Sequence, residues 1–197
     1  MSMHWQDEGY LLSKSNFDEN SIIIEVFTLD HGKCSGIVYG GSSRKQKRNL
    51  QIGNKISLNW KAKGENKIGY FTIELIKPIS PPFFDDKERS ICILSACSIL
   101  KMLLPERQVN KKIYASFENL LSSLFHDNWI NFYIKWELSL VKELGYESEN
   151  GKTSENNIKE ALIFNKRLLF ENFILPNKLS MPVSRNILEQ YFVNNKF

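Results

Sequence analysis

The residues of this 197-residue chain that could attack a substrate, ligate a metal or move a proton are few and scattered. His4 lies in the N-terminal segment, His31 in a turn and His126 at a helix end, and none has a second His or a carboxylate at metal-ligand spacing. Cys92 and Cys97 stand five apart on an apolar helical run, where thiols pack into a core rather than act as nucleophiles. With Cys34 they make an odd number with apolar neighbours, which fits buried free thiols in a reducing cytosol. No C-x-x-C pair exists from which to build a zinc ribbon. The acid pairs Asp7/Glu8, Asp18/Glu19 and Asp85/Asp86 are ordinary on strands and at helix starts. Gly36, Gly40 and Gly41 lack the spacing, lysine and hydroxyl of a nucleotide P-loop. The expectation is a protein without catalytic residues, cofactor or metal.

One constellation stands apart. From Arg44 to Lys67 the chain carries eight Lys or Arg (Arg44, Lys45, Lys47, Arg48, Lys55, Lys61, Lys63 and Lys67) against one acid, Glu65, while the whole chain is only +4. The positive field is therefore concentrated in one region, which is how a phosphate-binding surface shows itself in sequence. Tyr39 and Tyr70 flank it and could offer rings for stacking. A solvated loop, the usual fate of a charge run, is the competing reading.

The elements that must position these cations read as strands. Residues 21–29 are rich in β-branched and aromatic side chains, the Asp30-His31-Gly32 turn follows, and 33–40 resume strand character. Residues 54–63 alternate: Ile56, Leu58, Trp60 and Ala62 on one face, Lys55, Lys61 and Lys63 on the other. Trp60 shares its parity with the core. Residues 68–77 put Phe71, Ile73 and Leu75 on one face. With an early segment near Glu8–Lys14 this makes about five short strands, a small barrel of OB or SH3-like type. Three prolines in 78–82 end the sheet, and Asp85 and Asp86 suit a helix start.

Helical periods follow. Ile91, Leu94, Ser98 and Met102 form one stripe, ended by Pro105. Ile113, Phe117, Leu120, Leu121, Leu124 and Phe125 form a second, and Phe132, Tyr133, Trp136, Leu140 and Leu144 a third, with Gly145 as its stop. Ile158, Leu162, Leu169 and Phe173 mark a fourth, and a last helix opens at Pro182 and Ser184. The expected organisation is an α+β chain: a barrel domain over 1–80, then an all-α domain over 81–197. Ser90–Leu100, the most apolar segment, is too short to span a bilayer. The N-terminus has no apolar secretory stretch.

The ordered pieces WQDEGYLLS (5–13), EVFTLDHGKCSGIVYGGSSRKQKRNLQIGNKISLNWKAK (25–63), IGYFTIEL (68–75), LLPERQ (103–108), YASFENLL (114–121), WELSLVKELGY (136–146) and the terminal FENFILPNKLSMPVSRNILEQYF resemble the RecO family, especially its α-proteobacterial forms. The resemblance implies an N-terminal five-stranded OB-fold and a helical C-terminal domain. It implies a non-enzymatic, cytoplasmic, nucleoid-associated recombination mediator in DNA repair. Such a mediator binds and anneals single- and double-stranded DNA. It works with RecR to load RecA and contacts the acidic tail of the single-stranded-DNA-binding protein. The family's basic loop falls on Arg44, Lys45, Lys47 and Arg48. Arg107, Lys111, Lys112 and Arg167 are the available cations for the acidic tail. Many relatives carry a four-cysteine zinc motif after the ELGY residues; here Glu147–Asn157 is short and has no cysteine, so no zinc is expected. An RNA-binding OB protein and a protein-interaction module remain open beside this reading.

Overall fold

The computed structural model describes residues 3–62, 68–146 and 157–194. Five strands come first: β1 (Met3–Asn16), β2 (Ser21–Thr28), β3 (Gly32–Tyr39), β4 (Lys55–Ala62) and β5 (Gly69–Lys77), with helix α1 (Arg44–Asn49) between β3 and β4. They close on themselves in the order β1-β2-β3-β5-β4. The long first strand makes the closure. Its first half pairs with β4, from Met3↔Ala62 to Tyr10↔Lys55, and its second half with β2, from Gly9↔Thr28 to Asn16↔Ile22. A bulge between Leu11 and Ser13 bends it from one partner to the other, as barrel rims require. β3 and β5 pair in parallel at Gly36↔Gly69 and Ile37↔Tyr70; the other pairs are antiparallel. This is the expected OB-fold arrangement.

The alternation in β4 is realised. Ile56, Leu58, Trp60 and Ala62 enter the barrel with Leu11, Ile24, Val26, Val38, Phe71 and Ile73, while Lys61 stays outside. Each buried aliphatic contributes about 1.5–3 kcal/mol. Leu75, expected with Phe71 and Ile73, is instead exposed near the end of β5. In β1, Tyr10, Leu11 and Leu12 are all buried, so both faces of the strand are covered. Helix α2 (Lys87–Leu103) packs along β1, and the Sγ of Cys97 donates to the Leu11 carbonyl.

The stripe expected on α2 is not its buried face. Ile91, Leu94, Ser98 and Met102 are half-buried, whereas Cys92, Ile93, Ser95, Ala96, Cys97, Ile99 and Leu100 are buried. Nearly every position there is small or apolar, so no polar face marks the direction of the core. The two cysteines pack inward as expected. A first compact unit runs Met1–Lys111 and a second Lys112–Phe197. Strands give way to helices near residue 80, yet α2 belongs with the barrel it covers.

The second unit holds most of α3 (Lys111–Ser123), α4 (Trp129–Glu143), α5 (Ile158–Leu169), a π-helical turn (Phe170–Ile174) and α6 (Val183–Asn194). Ile113, Phe117, Leu120, Leu121 and Leu124 are buried, as are Tyr133, Trp136 and Leu140. Phe125 and Phe132, placed on those stripes by period alone, are exposed; Phe132 lies against the ring of His126 outside the core. Gly145 has φ +94° and ends α4, a conformation that glycine adopts without strain.

Candidate nucleic-acid interface

The basic stretch expected as a loop forms a helix. Ser43 caps it by accepting from the Gln46 N–H, and Arg, Lys and Gln are strong helix formers. Its far end is fixed by Leu50, which is wholly buried in the barrel core, and by Asn54. Asn54 is buried and ties three segments together. Its Nδ2 donates to the Asn49 carbonyl at 3.1 Å, and its Oδ1 accepts from the N–H groups of Ile79 and Ser80 at 2.8 and 3.2 Å. Arg44, Lys45, Lys47 and Arg48 are all exposed, and none has an ion-pair partner among the described residues.

A four-residue turn, Gly40 to Ser43, joins α1 to the end of β3. There the fold makes a contact that spacing alone does not show. Tyr39 and Tyr70 come from strands that pair in parallel, and their ring centroids stand 6.0 Å apart. Lys61 is directly opposite Tyr70 in the β4–β5 register, on the same outer face, and is exposed. Two rings and a cation therefore share a surface whose strand leads into the four cations of α1.

Not every expected cation is available. The ammonium of Lys55 lies 2.7 Å from the Glu8 carboxylate and above the Tyr10 ring, so its charge is neutralised within the barrel wall. Lys63 and Lys67 lie outside the described residues. Lys14, by contrast, escaped the sequence reading. It lines a groove of about 700 Å³ with Lys47, Ser42 and Gln51, together with Asp18 and Glu19. Its Nζ donates to the Leu50 carbonyl at 2.5 Å. Burial, and then the charge of Lys47, hold it below the usual lysine range. No local pattern could have flagged a lysine near the end of β1, because its neighbour is contributed by α1.

Arg107 and Lys111 belong to the first unit, Lys112 and Arg167 to the second. Lys111 pairs with Asp30 at 2.8 Å, Lys112 lies 3.7 Å from Glu143, and Arg167 lies 3.9 Å from Glu171 and over the Phe164 ring. Arg107 sits over the ring of Trp60. Among the described residues no group of three or more His, Cys, Asp or Glu is placed to hold a metal ion. Burial pushes the Cys34 thiol up to about 12 and that of Cys97 up as well, so neither is ionised at neutral pH. No helix among the described residues is long and apolar enough to cross a membrane.

Residues 1–79 match the family Recombination protein O N terminal, and residues 85–149 match Recombination protein O C terminal. Three similar proteins each carry the name DNA repair protein RecO. That of Jannaschia sp. is 32% identical over 82% of this chain and 66% of its own length. That of Cereibacter sphaeroides (strain ATCC 17029) is 35% identical, over 82% and 67%. That of Wolbachia pipientis subsp. Culex pipiens is 32% identical, over 82% and 67%. The chain thus spans about two thirds of the length of these relatives. An OB-type barrel matching the family's N-terminal part, helices matching its C-terminal part and the level of identity lead to one conclusion: this chain belongs to the RecO family.

Proposed function

We propose that the protein is a non-enzymatic DNA-binding mediator of repair and recombination that holds DNA strands on the outer face of its barrel. The observation that carries this reading is the meeting of Tyr39 and Tyr70 at 6.0 Å beside Lys61, on the strand that leads into four exposed cations. Cations that neutralise phosphates release counterions and bind without sequence preference, while ring faces stack any base. Two strands held on one cationic surface repel each other less, so complementary strands pair faster. That activity requires no chemical step.

The same reading gives the protein a cytoplasmic, nucleoid-associated place and the partners RecR, the acidic tail of the single-stranded-DNA-binding protein and, indirectly, RecA. For an acidic peptide with an apolar end, support comes from α5 and the π turn, where Arg167 stands between the exposed Ile163 and Phe170.

The test is binding of a labelled single-stranded oligonucleotide across a salt series, with duplex DNA and RNA as competitors. Arg44→Ala with Arg48→Ala is expected to weaken binding and to reduce the log–log salt slope by about 1.4, at about 0.7 per phosphate contact. Tyr39→Ala is expected to weaken binding with the slope unchanged. Unaltered binding in the double variant would remove α1 from the site. Preference for RNA would favour an RNA-binding protein, and absence of DNA binding at low salt would leave a protein-interaction module.

A further inference from the structure

A second cluster of rings, at the opposite end of β3 from α1, is not used by the reading above. The indole of Trp5 is stacked between the His31 ring, 4.0 Å away with planes 9° apart, and the Trp60 ring, 5.4 Å away with planes 15° apart. These three rings come from β1, the β2–β3 turn and β4. With Cys34, Arg107 and Val109 they line a cavity of about 420 Å³. That volume falls within the range of small-ligand sites, about 300–1,000 Å³.

Three features show that the cluster is held in place. His31 is pinned from behind: its Nδ1 lies 2.8 Å from the Asp7 carboxylate, whose side chain is 3% exposed, and the same carboxylate accepts from the Asp30 N–H at 2.9 Å. Arg107 is in the left-handed region, φ +58°, which costs a non-glycine residue about 1 kcal/mol or more. That conformation is kept because the segment carrying it is anchored on the hairpin. The Arg107 N–H donates to the Lys33 carbonyl at 2.8 Å, and Gln108 backbone occupies the place a side chain at Gly32 would take. The anchored segment brings the Arg107 guanidinium to 5.7 Å from the Trp60 ring centre. Arg107 is thus the exposed cation at the cavity. Asp30 is paired with Lys111, and the Asp7 carboxylate is turned away from solvent behind His31, whereas Arg107 is exposed and has no carboxylate partner among the described residues.

We infer that this cavity is a nucleobase-stacking subsite for single-stranded DNA, in which a base continues the Trp60–Trp5–His31 stack on the partly exposed His31 ring and its phosphate meets Arg107. The inference rests on the nucleic-acid reading above and extends it to a different part of the barrel. Flat ring surfaces accept the π-face of any base, and a guanidinium adds both a phosphate contact and a cation over the ring system. The rings are stacked on one another within the barrel, so little side-chain freedom remains to be lost on binding.

The experiment uses the full chain and two oligonucleotides of equal length and charge, one of thymidines and one abasic, with tryptophan fluorescence and anisotropy as readouts. The thymidine strand is expected to quench fluorescence and to bind more tightly than the abasic one. Trp5→Ala is expected to lower its affinity by about 5- to 150-fold, the effect of losing one stacked base, while the abasic strand binds as before. Arg107→Ala changes an exposed side chain, so it leaves a test that does not depend on repacking around Trp5; it is expected to shrink the preference for the thymidine strand. Equal affinity for both strands without quenching overturns the subsite and leaves the DNA-binding reading standing. Quenching by an acidic peptide ending in phenylalanine, and not by thymidines, also overturns it. Failure of both strands to bind at low salt overturns the two proposals together.

Discussion

At the scale of single residues, the acids that looked ordinary in sequence have structural tasks. Asp18 accepts from the Asn20 and Ser21 N–H groups and shapes the β1–β2 turn. Asp86 is the cap of α2, accepting from the Arg89 N–H at 3.0 Å and from its guanidinium. Burial raises the Asp86 pKa, but the Arg89 hydrogen bonds and charge outweigh it and hold the carboxyl below its usual range. A depressed folded value stabilises above the unfolded pKa of about 3.9 and loses that contribution as pH falls through the folded value. Asp86→Asn keeps the cap acceptor and removes the charge. It is expected to cost about 0.3–1 kcal/mol at pH 6. The gap from the parent chain should close below about pH 4. Urea midpoints against pH check this, and a gap that persists at pH 2 would refute it.

At the scale of elements, the second unit is clamped by a buried ion pair that no periodicity announces. Glu137 on α4 and Arg185 on α6 are both 0% exposed. The guanidinium donates to the carboxylate at 2.5 and 3.1 Å and to the Leu162 carbonyl of α5 at 2.8 Å, and the Tyr133 hydroxyl donates to the same carboxylate at 2.7 Å. Burial opposes the arginine's charge, yet Glu137 holds its pKa above the ordinary range. The Glu189 carboxylate also lies 3.3 Å from the guanidinium, so removing Glu137 leaves the buried arginine one carboxylate, and removing Arg185 strands the buried Glu137 charge. Glu137→Gln or Arg185→Met alone is expected to cost about 3–5 kcal/mol, while Glu137→Leu with Arg185→Met costs far less than the sum. Thermal or urea unfolding of the four chains in this cycle measures the coupling, and single losses below about 1 kcal/mol would mean that α4, α5 and α6 are held by packing alone.

At the scale of the molecule, the compact unit and the apparent domain differ. A cut after residue 80 would strip α2 from β1 and expose Tyr10 and Leu12, which are now buried. It would also remove the partners of Lys33 and Glu25: the Lys33 ammonium donates to the Lys101 carbonyl at 2.8 Å, and Lys101 pairs with Glu25 at 2.9 Å. A fragment of residues 1–111 is therefore expected to give a cooperative unfolding transition, and one of residues 1–80 to bind a hydrophobic dye and unfold without one. A cooperative 1–80 fragment would show that α2 is dispensable to the barrel.

The sequence by itself determined the strands, the barrel class and the concentration of charge, because each is written locally. Period two fixes which side of β4 is apolar, prolines end the sheet, and a run of cations without acids needs no fold to be seen. It also carried the family, through the order of its pieces. Whatever depends on a distant partner was decided by tertiary structure alone. The face that α2 buries follows from β1, since the helix is apolar nearly all round. Glu8 neutralises Lys55 only because β1 and β4 pair, and Tyr39 meets Tyr70 only because β3 and β5 lie in parallel register. The stack of Trp5, His31 and Trp60 joins three segments that share no spacing. Side-chain periodicity reports what one element does with its own two faces; which partner a side chain meets depends on barrel closure, and closure is a property of all five strands together.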